Sequence, residues 1–252
     1  SRIIQNISLI FFYYPSTKIL DGEFKQYSKR KEARLKFKRD TSIKNLSINK
    51  ASFSFGKNKI LNNFNYKFLK NNIYGLFGDS GKGKSTLLMI LSGLIKLDSG
   101  NIKINNITFE KKNFDLGDKL GFMSQYNVLL DDSLINTLFL DNRVSDKMLL
   151  EAKKYLTKFK MKKLIKLLKK EDNQNYSLNG MLSGGEKQRL SIIRTILMGG
   201  EILFFDEPTS SLDTINEKIV MREIQKLKKD KIIIFSTHKK DLKKLFDKII
   251  YL

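Results

Sequence analysis

The sequence predicts an α/β fold with a mostly parallel central sheet. Short apolar runs that are typical of buried strands recur along the chain, and several end in a glycine or an acidic residue. Segments with helical periodicity follow these runs, so that strands and helices alternate. The chain has 252 residues, of which 41% are hydrophobic, and this is enough to bury a sizeable core.

The first 40 residues differ from the rest of the chain in how their apolar and charged residues are arranged. The apolar run 7–14 is too short to span a bilayer, so it is interpreted either as the end of a membrane helix or as a surface segment that Pro15 interrupts. Residues 24–40 are dense in charge, which is typical of a linker or a solvated helix. The chain begins with Ser rather than Met, and we expect a processed chain or a piece of a longer one. The prediction is an N-terminal extension over residues 1–40 and one domain over residues 41–252.

The remaining elements follow from apolar spacing. The predicted strands lie at 43–55, 61–69, 71–78, 201–208, 231–237 and 247–252. The first two alternate in polarity and indicate antiparallel pairing, whereas the others are continuous apolar runs. The predicted helices lie at 83–95, within 133–170 and at 214–229. The stretch 149–170 is interpreted as one basic amphipathic helix. Its apolar residues, expected to pack inward, are Leu156, Phe159, Leu164, Leu167 and Leu168.

The composition excludes several kinds of site. Because the chain has no Cys and one His, disulfides, thiolate zinc sites and multi-histidine metal centres are excluded. The formal net charge of +22 is of the kind that nucleic-acid-binding proteins carry. However, the lysines are spread along the whole chain, and the abundance of Lys, Asn and Ile indicates a compositional bias. We therefore favour compositional bias over a nucleic-acid site as the origin of the charge, and the charge stays a weak argument for a nucleic-acid partner.

The most specific motif in the sequence is that of a phosphate-binding loop. Residues 78–85 read GDSGKGKS, fit the pattern G-x-x-x-x-G-K-[ST] and lie between a predicted strand and a predicted helix. Backbone N–H groups of such a loop, together with the helix N-terminus, surround a triphosphate. Lys84 would reach the β- and γ-phosphates, Ser85 would offer its hydroxyl to Mg²⁺, and Thr86 would contact the α-phosphate region. The other residues predicted around the phosphates are Gly78, Asp79, Ser80, Gly81, Lys82 and Gly83.

Two acidic residues end the buried strand predicted at 201–208. Four apolar residues, 202–205, precede Asp206 and Glu207. Asp206 would hold Mg²⁺, and Glu207 would face the γ-phosphate, because adjacent side chains diverge. In that place a carboxylate can act as the general base for an attacking water.

Residues 182–186 read LSGGE and resemble the signature motif of ATP-binding cassette (ABC) proteins. The resemblance implies that this motif closes over the ATP held by a partner subunit, in a head-to-tail dimer with two ATPs at its interface. The residues implied to contact that ATP are Ser183, Gly184, Gly185 and Glu186. The fold implied is a P-loop NTPase core with an antiparallel β subdomain and an inserted helical subdomain.

Four further residues match the family's motifs in their usual order. Gln125 in GFMSQ is similar to the glutamine that senses the γ-phosphate and metal, and Asp213 in SSLD to the aspartate that couples the two sites. His238 in IFSTH is similar to the histidine that contacts the γ-phosphate. Phe55 is similar to the aromatic residue that stacks on adenine, where the family usually has Tyr. The resemblance therefore implies Glu207, His238, Gln125 and Lys84 as catalytic residues, and Ser85, Gln125 and Asp206 as the metal site.

The resemblance covers roughly residues 43–252 and implies ATP and Mg²⁺ as cofactors. It places a helical subdomain at about 126–182, where the family contacts its transmembrane domain. Residues 15–24, PSTKILDGEF, resemble the stretch in which an exporter's last membrane helix enters its cassette, so we expect an exporter ATPase at the cytoplasmic face of the membrane. Two alternatives stay open: a stand-alone ATPase subunit of an importer, and a soluble cassette protein that acts on nucleic acid or ribosomes.

Overall fold

The computed structural model describes most of the predicted domain. The described residues are 42–105, 107–109, 119–125, 129, 133–139, 144–168 and 178–252. The N-terminal extension predicted over residues 1–40 lies outside them. Within the described residues, no helix combines the length and the apolar character needed to cross a membrane.

Nine strands form two sheets in the part of the chain that the structure describes. The strands are β1 (Asn45–Phe55), β2 (Asn58–Leu69), β3 (Asn72–Phe77), β4 (Ser99–Ile104), β5 (Ile107–Phe109), β6 (Leu120–Met123), β7 (Ile202–Asp206), β8 (Ile232–Ser236) and β9 (Lys248–Tyr251). One sheet is antiparallel, in the order β2-β1-β4-β5. The other is parallel throughout, in the order β6-β7-β8-β3-β9. The predicted α/β class and all six predicted strands are confirmed. The structure also contains β4, β5 and β6, which the sequence analysis does not predict.

Six α-helices surround the sheets in the described residues. They are α1 (Lys84–Leu91), α2 (Leu134–Phe139), α3 (Asp146–Lys158), α4 (Leu178–Met181), α5 (Gly184–Leu197) and α6 (Thr214–Lys226). Two 3₁₀ helices, at Lys162–Leu167 and Lys240–Leu245, complete the regular structure. The helices predicted near 83–95 and 214–229 are therefore confirmed with shorter bounds.

The single helix predicted over 149–170 is wrong, because α3 ends at Lys158. Lys160 adopts a left-handed conformation with φ 57°, and its N–H bonds to the carbonyl of Thr157. The N–H of Met161 bonds to the carbonyl of Leu156 at 2.7 Å, which completes a Schellman motif. Glycine usually occupies the left-handed position, so a lysine there gives no stop signal. The five apolar residues still pack inward, as predicted.

The parallel sheet is buried on both faces, which explains its continuous apolar runs. In β7, Leu203 and Phe205 pack in a cluster with helices α2, α3, α5 and α6. The alternate residues Ile202 and Phe204 pack in a second cluster with α1 and the antiparallel sheet. Successive side chains of a strand point to opposite faces, so both sets must be apolar when both faces are covered. Both faces of β7 are therefore covered by the core.

Glu201 joins the two sheets at the amino end of β7. Its Oε2 accepts hydrogen bonds from the N–H of Ile43 at 2.8 Å, from Ser42 Oγ at 3.1 Å and from Lys70 Nζ at 3.1 Å. Its Oε1 accepts from Lys119 Nζ at 2.9 Å. Burial raises the pKa of this carboxyl, but these donors outweigh burial and lower the pKa to about 2. The charged form of Glu201 therefore stabilises the fold.

Replacement of Glu201 by glutamine should destabilise the domain by about 1–2 kcal/mol near pH 7, allowing for solvent screening of a side chain that is 20% exposed. The pKa is about 2 in the fold and 4.5 in its absence, so this stabilisation is present above pH 4.5 and is lost as the pH falls towards 2. Urea unfolding between pH 7 and pH 3 measures it. The wild-type midpoint should fall with pH more steeply than that of the variant.

The control is Asp230→Asn, because Asp230 is 72% exposed and lies 4.0 Å from the same Lys70 ammonium. It should change the free energy of unfolding by less than about 0.5 kcal/mol. Equal effects of the two substitutions would contradict the role of Glu201.

Candidate functional site

The predicted site residues lie at the carboxyl edge of the parallel sheet. The phosphate-binding loop follows β3, Asp206 is the last residue of β7, Glu207 comes directly after it, and His238 follows β8. These strands are adjacent in the order β7-β8-β3, and Gln125 follows β6 at the other side of β7. In open parallel sheets, ligands bind outside the carboxyl ends of the strands. The fold therefore brings four separate sequence motifs to one edge.

The loop 78–85 turns directly into helix α1. Gly83 is the N-cap of this helix with φ 89°, a conformation that favours glycine, and a Cβ there would lie 2.3 Å from Ile60 Cγ2. Gly81 has φ 81°. Because Gly83 has no side chain to cap the helix, the N–H groups at its start are available to an anion.

Lys84 is folded back onto the loop from which it extends. Its ammonium donates to the carbonyl of Gly78 at 2.7 Å and to the carbonyl of Asp79 at 2.9 Å. The residue is 5% exposed. Lys82, in the same loop, is exposed. The buried cation of Lys84 thus fixes the loop and gives it a positive charge.

Asp206 and Glu207 are both tied to Ser236 on the neighbouring strand. Parallel register pairs Asp206 with Ser236, and Ser236 Oγ donates to Asp206 Oδ1 at 2.5 Å. The same hydroxyl accepts from the N–H of Glu207 at 2.9 Å. Asp206 is 4% exposed and Ser236 is fully buried. The serine therefore orients the carboxylate of one acid and the backbone of the next.

Glu207 has a strained backbone that neighbouring groups hold from both sides. Its φ is 47°, in the left-handed region that a residue with a Cβ rarely adopts. Ser236 holds its N–H, while its carbonyl accepts from Gln188 Nε2 at 3.0 Å and from the N–H of Ser210 at 3.2 Å. Its Oε1 lies 3.4 Å from His238 Nδ1. This backbone conformation sets the glutamate side chain beside the histidine.

The LSGGE segment forms the start of helix α5. Ser183 is the N-cap, and it forms a capping box with Glu186: its hydroxyl accepts from the N–H of Glu186, whose carboxylate accepts from the N–H of Ser183 at 2.9 Å. Glu186 also pairs with Lys163 at 2.7 Å. Burial raises the pKa of Glu186, but Lys163 and Ser183 outweigh it, and the pKa is lowered. A Cβ at Gly184 would meet nothing within 4 Å, so this face of the helix start is open.

Of the remaining predicted site residues, Asp213, Gln125 and Phe55 are exposed, Ser85 is half-buried and Thr86 is buried. Asp213 is the N-cap of α6, and hydrogen bonds from the Asn216 backbone and side chain lower its pKa. Gln125 is exposed just after β6. Phe55, at the end of β1, is 54% exposed and contacts Phe53 edge-to-face with ring centroids 4.9 Å apart. An exposed aromatic ring at a strand end is suited to stacking on a planar ligand.

Comparison with known proteins assigns the family. The sequence model described as ABC transporter matches residues 61–210, more than half of the chain. This chain belongs to the ABC transporter family. The membership makes it a nucleotide-binding ATPase domain, as the LSGGE segment predicts.

Two curated relatives and one solved structure illustrate the range of similar ABC proteins. A probable ABC transporter ATP-binding/permease protein from Haemophilus influenzae is 31% identical over 82% of this chain and 38% of its own length. The methionine import ATP-binding protein MetN from Clostridium tetani is 34% identical over 75% of this chain and 59% of its own length. The structure of a bacterial Atm1-family ABC exporter with ATP bound aligns with a TM-score of 0.72 and 23% identity, over 87% of this chain and 39% of that chain. The structural likeness confirms the ABC fold, and the chain spans less than two thirds of these relatives.

Sequence reasoning misses two residues of this ABC domain that contact the predicted site. Ser236 lies two positions before His238, and the strand register that places it opposite Asp206 is not visible in either motif. Gln188 lies inside the buried face of α5, where every residue from 188 to 193 is buried. A polar amide within such a buried run is a signal that it has specific partners, since buried polar groups are hydrogen-bonded.

Proposed function

We propose that this chain hydrolyses ATP in a head-to-tail dimer and powers substrate translocation by an ABC exporter. The observation that supports it best is the meeting of the phosphate-binding loop, Asp206, Glu207 and His238 at one sheet edge. Ser183 and Gly184 begin a different helix and have an open face. One chain thus offers both a hydrolytic site and a second anion-binding helix start.

The nucleotide would bind with its phosphates on residues 78–86 and its adenine on Phe55. The N–H groups at the start of α1 and the ammonium of Lys84 supply positive charge for the β- and γ-phosphates. Lys84 would exchange its bonds to the loop carbonyls for bonds to phosphate oxygens. The exposed ring of Phe55 would stack on the base.

The donors at this edge fit a magnesium ion. Ser85 supplies a hydroxyl, Asp206 a carboxylate and Gln125 an amide oxygen, which are the hard ligands that Mg²⁺ prefers. Within the described parts of the chain, no group of three or more His, Cys, Asp or Glu side chains could hold a metal. Mg²⁺ commonly binds through one or two protein ligands, phosphates and water, so this donor set is sufficient. When bound, the ion neutralises charge on the phosphates.

Glu207 would act as the general base for hydrolysis. Its carboxylate would accept the proton of the attacking water while the water oxygen bonds to the γ-phosphorus, the bond from the β-phosphate oxygen to the γ-phosphorus breaks, and ADP leaves. His238, 3.4 Å from that carboxylate, would hold the γ-phosphate, and Lys84 would stabilise the charge that develops on it. The signature residues Ser183, Gly184, Gly185 and Glu186 and the aspartate Asp213 would complete the site of the partner. The partner is a second copy or a homologous ABC domain.

The transport partner would be a transmembrane domain at the cytoplasmic face of the membrane. The Haemophilus influenzae relative is named as an ATP-binding/permease protein, which supports a cassette that works with a permease. The extension over residues 1–40 would lead into that permease, and the helical subdomain at about 126–182 would contact it. The Clostridium tetani relative is named as a methionine import ATP-binding protein, and this name supports the importer alternative.

The native state of the protein in its own cells tests the transport assignment. We expect it in the membrane fraction after a high-salt wash, in a polypeptide far larger than 29.3 kDa. A membrane-associated species near 29.3 kDa that co-purifies with other subunits would favour the importer assignment. A cytosolic species that co-purifies with RNA or DNA would overturn both.

A further inference from the structure

Gln188 joins the helix that carries the signature motif to the segment that carries Glu207. It lies just over one turn into α5, and its side chain is fully buried. Its Nε2 donates to the carbonyl of Glu207 at 3.0 Å and to Ser210 Oγ at 2.9 Å. Its Oε1 accepts from the N–H of Ser211 at 2.8 Å. The amide nitrogen and the amide oxygen of Gln188 therefore both form their hydrogen bonds with one short segment, residues 207–211.

A second contact lies one turn earlier on the same helix. A Cβ at Gly185 would lie 3.0 Å from the carbonyl oxygen of Ser211, so the helix start packs closely against that backbone. Gly185 and Gln188 are three residues apart, and residues at this spacing share one face of a helix. The start of α5 and the segment 207–211 thus contact each other along a continuous face.

The bond to Glu207 acts on a strained residue. A left-handed conformation in a non-glycine residue persists only when its surroundings fix it. Ser236 fixes the N–H of Glu207, and Gln188 fixes its carbonyl. Loss of the Gln188 bonds would leave the carbonyl held only by the N–H of Ser210 and let the glutamate turn away from His238.

We propose that Gln188 is a positioning residue that couples the two ATP sites of the dimer. The inference rests on the proposed function, because only in a head-to-tail dimer do the signature motif and Glu207 of one chain serve different ATPs. A shift of α5 when Ser183 engages the ATP of the partner would pass through Gln188 to the carbonyl of Glu207. Each chain would then hydrolyse its own ATP efficiently only when its signature motif is engaged.

The test compares Gln188→Leu and Gln188→Glu in the 252-residue chain with the wild type. Leucine removes all three hydrogen bonds, whereas glutamate keeps the acceptor for Ser211 and loses the amide donors. Both variants lose the hydrogen bond to the carbonyl of Glu207, so both should lower kcat about tenfold, the effect of that one bond on the position of the glutamate, and change KM for ATP by less than about threefold. The Hill coefficient of ATP hydrolysis should fall towards 1, because the sites no longer communicate. The control is Gln225→Leu, an exposed glutamine on α6 that should behave as wild type.

The outcomes separate this inference from the proposed function. Unchanged kcat and Hill coefficient in both variants would overturn the role of Gln188, as would a parallel loss of kcat, nucleotide affinity and thermal stability, which indicates a merely structural residue. If Gln188→Leu does not fold, Gln188→Glu decides. A wild type that hydrolyses ATP without forming an ATP-dependent dimer would instead overturn the head-to-tail dimer, and with it the coupling.

Discussion

Replacement of Glu207 by glutamine should reduce ATP hydrolysis by a factor of about 10² to 10⁴, the usual contribution of a general base. Glutamine has the same shape but cannot accept the proton of the attacking water. Backbone contacts hold residue 207, since its N–H bonds to Ser236 and its carbonyl to Gln188. The side chain at position 207 should therefore stay in place, and nucleotide binding should change little.

The same variant should accumulate as an ATP-bound dimer. We propose that ATP binding closes the dimer and that hydrolysis reopens it, so a dimer that binds ATP and cannot hydrolyse it stays closed. Size-exclusion chromatography with light scattering, at saturating Mg-ATP, measures this state. The control is Asp241→Asn, an exposed acid three residues after His238, which should hydrolyse ATP at the wild-type rate. A variant at position 207 that binds ATP and stays monomeric would count against the ATP-sandwich dimer.

The parts of the site that are contiguous in sequence are predictable. The loop 78–85 and the pair Asp206 and Glu207 each follow a buried strand, and a strand buried on both faces has a clear apolar signature. The predicted antiparallel pair is recognisable because its residues alternate in polarity. Once the parallel core is predicted, the carboxyl ends of its strands must meet at one edge.

The contacts that orient those residues depend on geometry that local patterns do not contain. Ser236 reaches Asp206 only because β7 and β8 pair in one particular register. Gln188 reaches the carbonyl of Glu207 because α5 packs on segment 207–211 with the helix face that carries Gln188. The end of α3 cannot be predicted from the sequence either. Lys160 adopts the left-handed conformation that glycine usually occupies after a helix, so no glycine marks the end of this helix. Short strands such as β6, with four residues, have too few alternations to be predicted.

Replacement of Lys84 by alanine should weaken ATP binding about 10- to 100-fold, the loss expected for charge-assisted bonds to phosphate. The substitution has two consequences in this structure. It removes the cation from the phosphate site, and it removes the bonds that hold the carbonyls of Gly78 and Asp79 at 2.7 and 2.9 Å. Those carbonyls would then turn more freely, and the N–H groups of the loop would lose their fixed direction towards the anion.

A matched control separates the local site from the overall charge of the protein. Lys82 lies in the same loop and its side chain is exposed, so Lys82→Ala removes the same formal charge but keeps the backbone N–H groups and the loop contacts. Its affinity for ATP should stay within about threefold of the wild type, since exposed charges contribute little. Isothermal titration with a non-hydrolysable ATP analogue and Mg²⁺ compares the three proteins. Equal losses in both variants would mean that the net charge of +22, rather than the built loop, attracts the nucleotide. Unchanged affinity in Lys84→Ala would overturn the assignment of the phosphate-binding loop.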